Sequence, residues 1–118
     1  MKYALVLLLL TVSTSQAESW DTTDKALGVA AVTALSLDWG QTRYIAQNHQ
    51  GYYEHNVVLG DHPSSGRVDA YFVSAIVGTL LIGNALAPRH RKAFFIGVIA
   101  FELIATTRNR TLGIKVSF

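Results

Sequence analysis

Eight polar residues stand out against an apolar background as groups that could do chemistry: Asp38, Gln41, Arg43, Glu54, His55, Asn56, His62 and Glu102. Asp38 and Glu102 lie inside apolar runs, and an ionisable group at bilayer depth costs at least about 2.5 to 3.5 kcal/mol. Something must offset that cost. One solution is a paired or proton-sharing site inside a helical bundle, with desolvation raising both pKa values. The other is structural, with Asp38 interfacial beside Arg43 and Glu102 a packing group bonded to Thr106 or Asn84. Polar packing groups are frequent in short bundles, so the structural solution is favoured. Glu54-His55 and Asp61-His62 offer the carboxylate and imidazole donors that metals use. No HExxH or comparable spacing fixes a geometry, so a solvated loop is favoured and neither a metal nor a cofactor is expected. Ser64-Ser65-Gly66 lacks the GxSxG elbow and no glycine-rich phosphate cradle is present, so no catalytic residue is assigned. Cysteine is absent, which removes disulfides, thiolate ligands and thiol catalysis.

The elements that would position these groups are helical. Ala70 to Ala87 and Ala93 to Thr107 are apolar runs hinged on the basic elbow Pro88-Arg89-His90-Arg91-Lys92, which predicts a helical hairpin over residues 65 to 107. The first run has no charge over about 27 Å of helix, close to the hydrocarbon thickness of a bilayer. Pro88 is expected to stop its helix, the basic elbow to anchor topology or lipid headgroups, and Asp69 to sit in a favourable first turn capped by Ser64 or Ser65. Ser74 and Gly78 give the small-xxx-small spacing of membrane helix contacts. An earlier helix is predicted over residues 22 to 46, with Asp21 as its cap, Asp24 in its first turn, and Leu27, Ala31, Ala34, Asp38, Gln41 and Ile45 along one stripe. Only Ala26 to Leu37 of it is uncharged, so it spans a bilayer only if its lower half is buried against protein. Residues 47 to 63 hold the turn formers and form a loop. The alternating tail Thr111 to Phe118 resembles the last strand of an outer-membrane barrel, but the upstream pattern is helical, so a short extended tail covering a helix seam is expected.

Length and charge bound the rest. The 118 residues allow one domain, and only 15% are charged against about 25% in a typical soluble chain. A net charge of +2 argues against nucleic acid as a partner. Seven acids and three bases lie between Glu18 and Asp69, whereas six bases and one acid follow from Arg89 onward, a polarity that suits a membrane-facing surface. Met1-Lys2-Tyr3, the apolar run Ala4 to Leu10 and Ser15-Gln16-Ala17 fit a secretory signal peptide over residues 1 to 17, cleaved after Ala17. The expected architecture is therefore all-α: a cleavable signal peptide, then a single domain over 18 to 118 built as a small three-helix membrane bundle. Three spans would put the carboxy-terminal end inside with five bases against four outside; two would reverse it, three against six.

Trp20 to Lys25, Asp38-Trp39-Gly40-Gln41-Thr42-Arg43-Tyr44 and Glu54 to Pro63 together resemble a family of small uncharacterised proteins from phages and proteobacterial genomes. That resemblance spans most of the mature chain and implies a phage or prophage setting but no chemistry. The expected role is a small non-enzymatic protein of the cell envelope, exported and held in the inner membrane. It would meet membrane lipid, an envelope protein partner or further copies of itself, as in superinfection exclusion or lysis modulation. A holin-like pore former and a soluble periplasmic helical binding or inhibitor protein are the alternatives. A membrane enzyme using Glu54, His55, Asp61 or His62 is the third class.

Overall fold

Asp21 starts the first helix by a reciprocal pair of bonds. Its carboxylate accepts from the Asp24 backbone N–H at 2.7 Å while Asp24 accepts from the Asp21 N–H at 3.0 Å, a capping box that satisfies two otherwise orphaned donors. The computed structural model describes residues 19–48, 58–60 and 62–118, and within them there are three helices and no strand. They are α1 (Thr22–Gln47), α2 (Ser65–Ala85) and α3 (Pro88–Thr111). The expected signal peptide lies outside the described residues, as do Glu54, His55, Asn56 and Asp61 of the loop.

Two expectations about the hairpin need correction. Pro88 does not lie in a long elbow after α2; it is the first residue of α3, where its missing N–H would have no helical partner and its fixed φ suits the helix. The link between the helices shrinks to Leu86-Ala87, and the basic run becomes helix. Asp69 does not serve the first turn of α2, which holds no acid; Ser64 caps that helix, accepting from the Arg67 N–H at 3.2 Å. At the other end of α3, Gly113 adopts φ 81°, and the N–H groups of Gly113 and Ile114 reach back to Arg110 O and Asn109 O, both at 3.0 Å. This terminus closes the helix and turns the chain back toward α1.

The helices run up, down and up. Trp20 and Asp24 at the start of α1 meet the end of α2 and the start of α3, and Gln41 and Arg43 near its end meet the end of α3 and the start of α2. α1 packs extensively on both neighbours, whereas α2 and α3 touch each other far less. Small residues permit the close approaches: a Cβ on Gly83 would overlap the Phe95 ring, and one on Gly40 would overlap Val116 and Phe118. The tail residues 112–118 thus fold onto α1, with the Ser117 N–H donating to Gly40 O at 3.0 Å and the Ser117 hydroxyl to Gln47 at 2.7 Å. This is the seam-covering tail expected from the sequence. Leu59, Val68 and Phe72 form an apolar cluster under Trp39 and Tyr71.

Candidate functional site

The polar interior is organised at the two ends of the bundle. At the first end Arg91 is wholly buried, as is Asp24, and the two are paired at 2.9 Å. The guanidinium fork also donates to Gly83 O at 2.7 Å and to Leu86 O at 3.2 Å, so it caps the open carbonyls at the end of α2 while neutralising the start of α1. Its Cζ lies over the Trp20 ring, 5.2 Å from the ring centre, and the Trp20 indole N–H donates to Asn84 at 2.9 Å. Lys92 adds a second cation, reaching Asp21 at 2.9 Å and Asp24 at 2.8 Å. The Lys92 hydrogen bond, helped by the Asp21 N–H and by Arg91 against the cost of burial, lowers the Asp24 carboxyl from its ordinary 3.8 to about 2. Asp24, and Asp21 with it, raises Lys92 above its ordinary 10.5. Only Arg89 and His90 of the basic run stay exposed. The expected headgroup anchor is largely an internal clamp, because Arg91 and Lys92 meet the Asp24 carboxylate and Arg91 meets the carbonyl end of α2.

At the second end Arg43 grips Asp69, with its contact to Oδ2 at 2.6 Å, and the Trp39 indole N–H donates to the same carboxylate at 2.8 Å. Trp39 stacks parallel to Phe72 and takes the edge of Phe118 at 5.5 Å. Arg43 is therefore a functional-looking group spent on joining α1 to α2. Its partner is Asp69, not Asp38, whose carboxylate accepts from the Thr42 hydroxyl at 3.3 Å one turn along α1. Gln41 is buried between α1 and α3: its Nε2 donates to Thr106 O at 3.0 Å and its Oε1 accepts from Asn109 at 3.1 Å.

Glu102 is buried on α3 and lines a cleft of about 560 Å³ between α2 and α3, together with Leu35, Thr79 and Phe94. Asp38 is not among the cleft residues; its carboxylate accepts from Thr42 on its own helix. The Thr106 hydroxyl donates to Leu103 O, and Asn84 serves Trp20. Gly78 and Gly97 line the same cleft, yet a Cβ on either would meet nothing within 4 Å. The small-xxx-small spacing of Ser74 and Gly78 therefore does not bring two helices of this chain together. His62 is exposed just before α2. Among the described residues no group of three or more His, Asp or Glu converges in a metal-binding arrangement. Chemically, the two ends of the bundle fix charge through paired and forked bonds. Comparison with known protein families, characterised proteins and solved structures finds no match.

Sequence reasoning missed the internal contacts of Trp20, Asn84, Arg91, Lys92 and Asn109 and the Gly40–Phe118 contact. A general signal was present for the pairing of these charges, though not for which base turns inward: two acids at a helix start and a basic run beside a proline are complementary.

Proposed function

We propose that this chain is a small non-enzymatic membrane protein of the cell envelope, exported by its amino-terminal segment and acting through contact with an envelope partner. The observation that carries this reading is where the polarity lies. Phe101, Ile104 and Val29 are 69%, 72% and 68% exposed, and Ile96, Leu103 and Ile82 are about half exposed. Asp24, Arg91, Gln41, Thr42, Glu102 and Thr106 are inside. A water-surrounded bundle sorts these classes the other way. In lipid the exposed apolar side chains are matched to their solvent, and the polar groups gather inward, where they satisfy one another.

Helix lengths agree with this reading. α2 is long and apolar enough to cross a membrane by length and composition. Its 21 residues extend about 32 Å. In the second half of α1, burial of Gln41 and Thr42 and the pairing of Arg43 with Asp69 support its lying against protein rather than lipid. Between Lys92 and Arg108 the single charge on α3 is the buried Glu102. The resemblance to small phage and proteobacterial proteins adds a setting, in which such contacts would serve superinfection exclusion or modulation of lysis.

Fractionation tests the reading. The expressed chain should stay with the membrane pellet after an alkaline carbonate wash. Its recovery as a freely soluble monomer without detergent would overturn the proposal.

A further inference from the structure

A docked tail that gathers basic residues around one pocket distinguishes the second end of the bundle. Arg108 and Arg110 occupy the last turn of α3, and Lys115 follows the Gly113 turn. Among the described residues no carboxylate is ion-paired with any of the three, whereas Arg43, Arg91 and Lys92 are all committed to acids. The tail is held in place by Ser117 on Gly40 and Gln47 and by Phe118 on Trp39, and that docking carries Lys115 back beside Arg110. The two cations share an open pocket of about 400 Å³ with Gln41, Thr106, Thr107 and Leu37.

The pocket is amphipathic in a definite direction. Its cationic rim lies at the end of the bundle, and no acid lines it among the described residues. Leu37, 44% exposed, forms its wall on α1. Leu103 lies one helical turn before Thr107 on the same face of α3 and is itself half exposed. The apolar surface therefore leads from the rim toward the middle of the helices. An anion that enters with a hydrocarbon tail satisfies both parts, and a free anion satisfies only the rim.

We infer that this pocket binds the phosphate of an anionic phospholipid, with Arg110 and Lys115 on the headgroup and an acyl chain lying along Leu37 and Leu103. The inference rests on the membrane reading above. It gives the tail a purpose, which is to complete a cation pair that α3 alone would present only in part, and it orients this end toward an anionic leaflet.

Native mass spectrometry of the full chain in non-ionic detergent tests it, with dioleoyl phosphatidylglycerol and dioleoyl phosphatidylcholine supplied at equal concentration. The wild-type chain should retain phosphatidylglycerol about tenfold more than phosphatidylcholine, and the double variant Arg110→Gln, Lys115→Gln should bring the two near parity. A matched double variant at the other end, Lys25→Gln with Arg89→Gln, should keep the preference. Equal retention of the two lipids by the wild type, or an unchanged preference in the pocket variant, would overturn the inference while leaving membrane association intact. Displacement of the lipid by inorganic phosphate at the same concentration would mark a free-anion site and overturn it as well. Failure of the carbonate fractionation would instead remove the membrane reading, and this inference with it.

Discussion

Arg91 is the residue on which most of the interior depends, because one guanidinium serves the carboxylate of Asp24 and the carbonyl end of α2 together. Removing one partner of a buried ion pair costs about 3 to 5 kcal/mol, and Lys92 would still neutralise Asp24, so Arg91→Met should lose about 3 kcal/mol. Arg89→Met, two residues away and exposed, should stay within about 0.5 kcal/mol. Thermal unfolding in mild detergent measures both. The same cluster sets a pH profile. A carboxyl lowered to about 2 contributes stability that is complete above its ordinary 3.8 and is lost as pH falls toward 2. A lysine raised above 10.5 contributes stability that is complete below that value and is lost as pH rises past it. The contribution of this cluster should therefore be constant between the two limits and fall at both ends, and Asp24→Asn should reduce the acid limb, leaving the part carried by Asp21 and Asp69, whose carboxyls are lowered as well. A melting temperature followed from pH 2 to 11 would register either departure, with the limits given by the ordinary values of the two groups.

Elements are joined by fewer, more specific bonds. Gln41 and Asn109 link α1 to α3 through one side-chain bond, and interhelical bonds of this kind are worth about 0.5 to 1.5 kcal/mol. A double-mutant cycle with Gln41→Leu and Asn109→Leu should return a coupling in that range. The tail depends on shape. Gly40→Leu should displace Val116 and Phe118, shifting Trp39 emission and exposing residues 112–118 to protease while the helices persist. What the sequence discloses about these elements follows the distance over which a signal acts. The caps at Asp21 and Ser64 were legible because cap and partner lie three residues apart. Pro88 was ambiguous, since proline both ends one helix and begins the next. The inward turn of Arg91 was not legible: its carbonyls lie five to eight residues back and its acid 67 residues back, so no local pattern records them. Arg43 was singled out with the wrong acid, because Asp38 is near in sequence while Asp69 is near in space.

At the scale of the whole molecule the surface decides the solvent. Phe101 lies near the middle of α3 and is 69% exposed. In water, Phe101→Asp on such a surface would change stability by no more than about 0.5 kcal/mol. In a bilayer it should cost about 2.5 to 3.5 kcal/mol of insertion energy. An insertion assay comparing the variant with wild type separates the two, and unchanged insertion would argue for an aqueous surface.

The 67-residue gap between Asp24 and Arg91 has a consequence for biosynthesis. At ordinary elongation rates of about 5 to 20 residues per second, the acid leaves the ribosome roughly 3 to 13 seconds before the base that will neutralise it. Throughout that interval the start of α1 has no counter-charge from α3. A nascent chain halted before position 91 would hold Asp24 without the guanidinium that accompanies it into the finished interior.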